Sequence, residues 1–184
     1  GFRDSYFLSQ PNGTWLESSN THLSHDNFKV FDHGGAVGDI DNDGDMDVVI
    51  TESNWKTGTL LWCLMNDGTG FLKKRKCGGI FSFALELADM DGDGDLDAIV
   101  GSNEFSPEKD SHMTPAIVWN DGRGNFNKNN RTNLKMHRKL GNTPEVSAAD
   151  LDGDGDLDIV YSRAGHLYVG TAVSIIENLG NKKF

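Results

Sequence analysis

The chain has 184 residues, 36 % of them hydrophobic, and a formal net charge of −11: enough for one domain with a core, and a charge that argues against nucleic acid and anionic membranes as partners. No apolar run approaches the ~20 residues of a membrane span, so membrane insertion is not expected; the opening GFRDSYFLSQ is not a signal peptide, and no Cys/His spacing suggests zinc. Twenty-two glycines and few long periodic apolar stretches point to many short strands and almost no helix.

The first element is a degenerate hairpin, Tyr6-Phe7-Leu8 followed by the turn Pro11-Asn12-Gly13-Thr14 and Trp15. A strand HGGAV at 33–37 then ends on the small Gly38 and runs into DIDNDGDMD at 39–47. Val48-Val49-Ile50 reads as a buried strand, 52–58 as a variable loop, and Trp62-Cys63-Leu64-Met65 as a strand entering the turn NDGTGF at 66–71.

The same order recurs twice. The second unit has an entering strand at 83–87 ending at Ala88, DMDGDGDLD at 89–97, and the strand Ala98-Ile99-Val100. A variable loop at 102–115, Ile117-Val118-Trp119 and NDGRGNF at 120–126 follow. The third has a strand at 145–148 ending at Ala149, DLDGDGDLD at 150–158, and Ile159-Val160-Tyr161. It continues with a variable loop at 162–171, Ile175-Ile176-Glu177 and NLGNKKF at 178–184. A period of about 50 to 60 residues, each unit giving four antiparallel strands, is the signature of a repeat architecture. The expected fold is all-β: about three four-stranded antiparallel blades plus a partial blade. Residues 1–184 form one propeller-like domain, divided into a partial repeat (1–29) and repeats at 30–80, 81–140 and 141–184. Because propellers usually have four to eight blades, these units belong to a larger propeller or close by self-association.

The aspartate loops carry the chemistry. Each places Asp at positions 1, 3, 5, 7 and 9 and Gly at position 6, with no Lys or Arg among them, and the three hold fifteen of the 28 acidic residues. Alternating oxygens around a sharp glycine turn suit a hard cation such as Ca²⁺, which takes six to eight oxygen ligands. Asp39, Asp41, Asp43 and Asp47 then offer side chains, as do Asp89, Asp91, Asp93 and Asp97, and Asp150, Asp152, Asp154 and Asp158. At position 7, Asp45, Asp95 and Asp156 offer backbone carbonyls, their side chains counting as surrounding or solvated charge. Polar turns without metal are the plain alternative, and three identical skeletons weigh against it. Three bound Ca²⁺ would bring the net charge from −11 to −5. An EF-hand is excluded, because it needs a bidentate Glu at position 12, where Ile50, Val100 and Tyr161 stand, and flanking helices.

These loops, the apolar strands after them and the NDGxGxF-type hairpins resemble the FG-GAP and VCBS family, the calcium-binding blades of integrin α-subunit propellers and of many secreted bacterial proteins. The resemblance covers roughly residues 30–184. It implies a calcium-binding propeller in an extracellular, secreted or periplasmic setting. The lead functional reading is a non-catalytic adhesion or recognition module for a protein or glycan ligand, because no nucleophile with a base beside it stands outside the loops. The alternatives are the propeller portion of a secreted polysaccharide-degrading enzyme and a plain spacer.

The remaining residues carry less. Cys63 and Cys77 could form one disulfide, with Cys63 in an inner strand and Cys77 beyond the next one. Trp55 and Phe105 fall in variable loops, where they could stack on a sugar ring or pack beneath their own loops. His22, His25, His33, His112, His137 and His166 show no ligand pattern, and Lys73, Lys74, Arg75 and Lys76 read as a solvated outer strand or turn. Asn12-Gly-Thr14 and Asn130-Arg-Thr132 fit the glycosylation pattern, each near a turn.

Overall fold

The computed structural model describes residues 5–24, 31–53, 60–79, 82–102, 114–135, 142–165 and 170–184. Trp55, Phe105, His25, His112, His137 and His166 lie outside them, as do most of the variable loops. Among the described residues the chain is all-β apart from one helical turn, α1 (Ser19–His22).

Strands β1 (Phe7–Ser9) and β2 (Trp15–Glu17) pair as the expected opening hairpin. The first full sheet takes β3 (Phe31–Gly38), β4 (Asp47–Ser53), β5 (Leu60–Asn66) and β6 (Leu72–Gly78) in sequence order, every pair antiparallel. The second sheet repeats it with β7 (Leu85–Ala88), β8 (Asp97–Val100), β9 (Ala116–Val118) and β10 (Arg131–Asn133). The third has three strands, β11 (Asn142–Ala149), β12 (Asp158–Ala164) and β13 (Thr171–Ile176), followed by the turn at 177–184.

The sheets stack face to face, and strand periodicity shows how. In the second sheet Ala98, Val100, Ala116 and Val118 face the first, packing with Ile40, Val49, Leu61, Cys63 and Phe126. Their neighbours Ile99 and Ile117 face the third, packing with Trp119, Val146, Ile159 and Tyr161. One strand thus feeds two cores, as a period of two requires when both faces are covered. The first strands of consecutive sheets, β3 with β7 and β7 with β11, lie against one another and form the inner edge. There a Cβ on Gly38 would fall 2.5 Å from Leu96 Cδ1, which explains the small residue ending the entering strand.

Other ties also run between sheets. Phe126, expected to restart a strand, instead bridges Gly78 of the first sheet, its N–H donating to the Cys77 carbonyl at 2.7 Å. The chain after the opening hairpin does the same one unit earlier: Leu23 bridges Leu72, and the Ser24 N–H donates to the Leu72 carbonyl at 3.0 Å. The opening hairpin is therefore tied to the first sheet as the first sheet is tied to the second turn.

Candidate metal centres

Each aspartate loop joins the first and second strands of its sheet and is wound by its own carboxylates. The position 1 oxygens accept the position 6 glycine N–H: Asp39 from Gly44 at 2.9 Å, Asp89 from Gly94 at 3.0 Å, Asp150 from Gly155 at 3.1 Å. Those glycines have φ of 95°, 93° and 97°, a left-handed conformation that a side chain would strain. Position 5 accepts the position 7 N–H, with Asp43, Asp93 and Asp154 at 3.0, 2.9 and 2.9 Å.

Three carboxylates per loop come close enough to share an ion: Asp39, Asp41 and Asp43; Asp89, Asp91 and Asp97; Asp150, Asp152 and Asp154, the oxygens of each group lying within 4.8 Å of one another. Positions 1, 3 and 5 thus meet in the first and third loops, and positions 1, 3 and 9 in the second. These clusters could hold a metal ion. One observation tests the fit: Asp41 Oδ1 is buried and meets no hydrogen-bond donor among the described residues, an oxygen that a cation would satisfy.

Position 9 is committed to architecture as well. Asp47, Asp97 and Asp158 are buried, and one oxygen of each accepts the position 2 N–H, from Ile40, Met90 and Leu151 at 3.4, 3.3 and 3.1 Å. The other oxygen accepts the backbone N–H of the Asn that opens the Asn-x-Gly turn: Asn66 at 2.7 Å, Asn120 at 2.9 Å, Asn178 at 2.8 Å. Each oxygen keeps a second lone pair for a cation. Burial pushes the Asp97 carboxyl up to about 7, the Asn120 and Met90 N–H groups pulling against it and Asp91 and Asp93 adding repulsion. Asp47 and Asp41 are likewise raised, chiefly by burial and then by neighbouring aspartates. A buried carboxylate held against its own charge favours an arriving cation.

The asparagines have a second role that the sequence reading missed, having taken them as turn residues. The Asn120 side-chain amide donates to the Leu96 carbonyl of its own sheet at 3.1 Å and to the Ile40 carbonyl of the first sheet at 2.8 Å. Asn178 repeats this, to Leu157 at 3.2 Å and to Met90 of the second sheet at 3.0 Å. Position 2 of one aspartate loop is therefore clamped by the turn of the next unit, and its side chain is buried there, Ile40 at 0 % and Met90 at 2 % exposure. The readable signal was an apolar residue at position 2 of every loop.

Position 7 is more than solvated charge. Its side chain lies over the glycine of the Asn-x-Gly turn, where a Cβ on Gly68, Gly122 or Gly180 would fall 2.8, 2.7 or 3.0 Å from Asp45, Asp95 or Asp156 Oδ2. Asp95 also accepts from the Asn42 amide of the first loop at 2.7 Å.

The family pattern of the FG-GAP-like repeat matches residues 39–100 and again 89–161, so the second aspartate loop closes one match and opens the next. The chain belongs to the FG-GAP-like repeat family. No curated protein and no solved structure matches it. For an FG-GAP-like chain the matched span, loop to loop, coincides with the clamped pair of neighbouring units rather than with one sheet.

The other candidates resolve as follows. Cys63 and Cys77 form a disulfide, Cα to Cα 5.7 Å. Cys77 lies within β6, at a register shift between the Leu61 and Trp62 pairs, rather than beyond the next strand. Of the basic run, Lys73 and Lys76 are exposed on the outer strand β6 as expected. Lys74 Nζ lies 4.1 Å from the centre of the Trp62 ring, and Arg75 donates to the Arg123 and Gly124 carbonyls and to Asn125 Oδ1 at 2.7, 3.0 and 2.8 Å. His22 stacks on Tyr6, ring centres 5.1 Å apart, at the junction with the opening hairpin. Within the first glycosylation pattern Asn12 Oδ1 accepts from Thr14, and within the second Thr132 accepts from Trp119 Nε1 at 3.2 Å.

Proposed function

We propose that this FG-GAP-like chain is a calcium-braced segment of a β-propeller that acts outside the cell as a non-catalytic adhesion or recognition module, binding a protein or glycan through its variable loops. The observation that carries the reading is the threefold recurrence of close carboxylates with a buried, donorless oxygen at Asp41. Asp39, Asp41, Asp43 and Asp47, with their counterparts in the other two loops, would hold the ions. Calcium is the cation that such an oxygen-only set prefers. A site with Kd of about 10 μM at about 1 mM calcium stabilises the fold by about 2.7 kcal/mol, so three together rival the stability of a domain. Free calcium reaches that level outside cells, and the Cys63–Cys77 disulfide also suits an oxidising compartment.

The third sheet supports membership of a larger ring. Leu151, at position 2 of its loop, is 51 % exposed where Ile40 and Met90 are covered, and Val173 and Ile175 stand exposed on β13 beside it. A further unit, from the same polypeptide or another, would cover them and bring an Asn-x-Gly turn to the Leu151 carbonyl.

Calorimetric calcium titration of chelator-stripped protein, with thermal melting on the same samples, tests the metal reading. Three ions bound and a melting temperature raised by about 15–30 °C are expected; a melt indifferent to chelator removes it. Glycan and matrix-protein arrays probed with calcium present test recognition, and a blank array of both kinds sinks that half alone.

A further inference from the structure

The three Asn-x-Gly turns share a left-handed third and fifth residue, and the third turn departs from the other two in having Leu179 where they have Asp67 and Asp121, a left-handed Asn181 at its fourth residue, and a fifth residue that is not glycine. The fifth residue of the turn is Gly70 in the first, Gly124 in the second and Lys182 in the third, all left-handed, with φ of 84°, 68° and 61°. Glycine accepts that conformation freely and lysine does not: the left-handed region costs an ordinary residue about 1–2 kcal/mol. An outlier of this kind directs attention to what the side chain does. Lys182 Nζ lies 2.5 Å from Asp91 Oδ2, position 3 of the second aspartate loop, and 4.2 Å from the centre of the Trp119 ring. Asp91 is almost wholly covered, its side chain 6 % exposed, while Lys182 remains half-exposed. The hydrogen bond to Asp91 holds the ammonium above the usual lysine range, so it stays charged.

The first loop is arranged otherwise. Its position 3 residue, Asp41, keeps a bare buried oxygen. The nearby cation there is Arg75, whose guanidinium is held by the carbonyls of the second turn in the space that a side chain at Gly124 would need. In the second sheet the place of Arg75, opposite the strand residue three before the turn Asn, is taken by Thr132. The charge at the second junction therefore comes from the turn itself.

From this geometry, and resting on the calcium reading above, we infer that Lys182 is a tethered counter-ion of the second aspartate loop, one that a divalent cation must displace from Asp91, so that this loop binds calcium more weakly than the other two. Occupancy is then graded. The first and third loops fill first, and filling the second frees Lys182 from both Asp91 and Trp119, which links the metal state of one unit to the turn of the next.

The test is a calcium titration followed by ¹⁵N NMR on the whole chain, reading the amides of Gly44, Gly94 and Gly155, each of which donates to the first aspartate of its own loop. In the unmodified protein the Gly94 midpoint should fall at higher calcium than the other two. Lys182→Gly restores the residue type of the other turns and removes the backbone strain, so it should fold well. It should lower the Gly94 midpoint roughly 1.5- to 5-fold, the range for relieving one half-exposed charge contact, and leave Gly44 and Gly155 in place. Lys183→Gly removes the same charge one residue away and should move nothing. A Gly94 midpoint that Lys182→Gly leaves unchanged or raises, with the other loops titrating normally, overturns this inference alone. No calcium binding at any of the three glycines overturns it together with the calcium reading.

Discussion

The second and third sheets are built on nearly the same aspartate loop and differ in what covers them. Every residue of β8 is buried, because its alternate side chains enter two different cores. In the third sheet β12 is buried except at Val160 and Ser162, which are partly covered, yet β13 exposes Val173 and Ile175 at 68 % and 63 %. The position 2 residues of the aspartate loops draw the same line, Met90 at 2 % exposure and Leu151 at 51 %. The difference teaches that the cooperative unit of packing is a junction and not a blade: the third loop is wound like the others, but a position 2 side chain is covered only when a following turn clamps it. The clearest way to break this view is to truncate the two position 2 side chains. Met90→Ala should destabilise by about 2–5 kcal/mol in urea unfolding, as a buried side chain leaving a cavity does, and Leu151→Ala by no more than about 0.5 kcal/mol. Equal losses would mean that the junction is not the unit.

The first sheet adds a covalent tie that the other two lack among the described residues. The Cys63–Cys77 bond closes a separation of 14 residues, for which chain entropy predicts a stabilisation of about 3 kcal/mol. Replacing both cysteines by Ala should therefore lower stability by about 2–3 kcal/mol. Amide exchange should accelerate most in β5 and β6 and least in β12. Uniform acceleration would show that the sheets unfold as one body and that the junctions are not separable.

The asparagine clamps sharpen the comparison at single-bond scale. Asn120 reaches across to the Ile40 carbonyl, while the Asn66 amide donates to Met46 of its own sheet. Asn120→Ala leaves the Ile40 carbonyl buried without that donor and should destabilise by about 1–3 kcal/mol, against about 0.5–1.5 kcal/mol for Asn66→Ala. Unfolding midpoints in urea measure both, and a larger loss for Asn66 would contradict the clamp.

Much of this was legible in the sequence because the signals are local. Short continuous runs of apolar, mostly β-branched residues gave β4, β8 and β12 their place after each loop, and the small residues Gly38 and Ala88 marked the inner edge. The aspartates announced their clusters by spacing alone. What escaped reading depends on contacts between units. The Asn120 and Asn178 side chains bond carbonyls 80 and 88 residues away, and no local pattern encodes that reach. Phe126 looked like the start of a strand, yet its buried ring packs between the first two sheets and its backbone bridges Gly78. Cys77 defeated strand counting because it is the unpaired residue at the register shift in β6, between the partners of Leu61 and Trp62. Lys182 drew no reading of its own within the turn at 178–184, since only the stacked neighbour reveals Asp91 beneath it.

The smallest expected effect concerns pH, and its sign separates the metal-free from the metal-bound molecule. Burial raises the Asp97 carboxyl from its ordinary 3.8 to about 7, so in chelator the folded chain holds a proton there that the unfolded chain has already released. Its contribution to stability is complete below about pH 4 and is lost as the pH climbs through about 7. The melting temperature in chelator should therefore decline by a few degrees between pH 5 and pH 8. Asp97→Asn, which cannot titrate and still accepts from Asn120, should flatten that slope. With saturating calcium the order reverses, because the ion competes with the proton for the carboxylate and gains as the pH rises. A melt in chelator that rises from pH 5 to pH 8 would show that the buried aspartates are already compensated by groups within the protein, and the argument that they await a cation would lose its electrostatic basis.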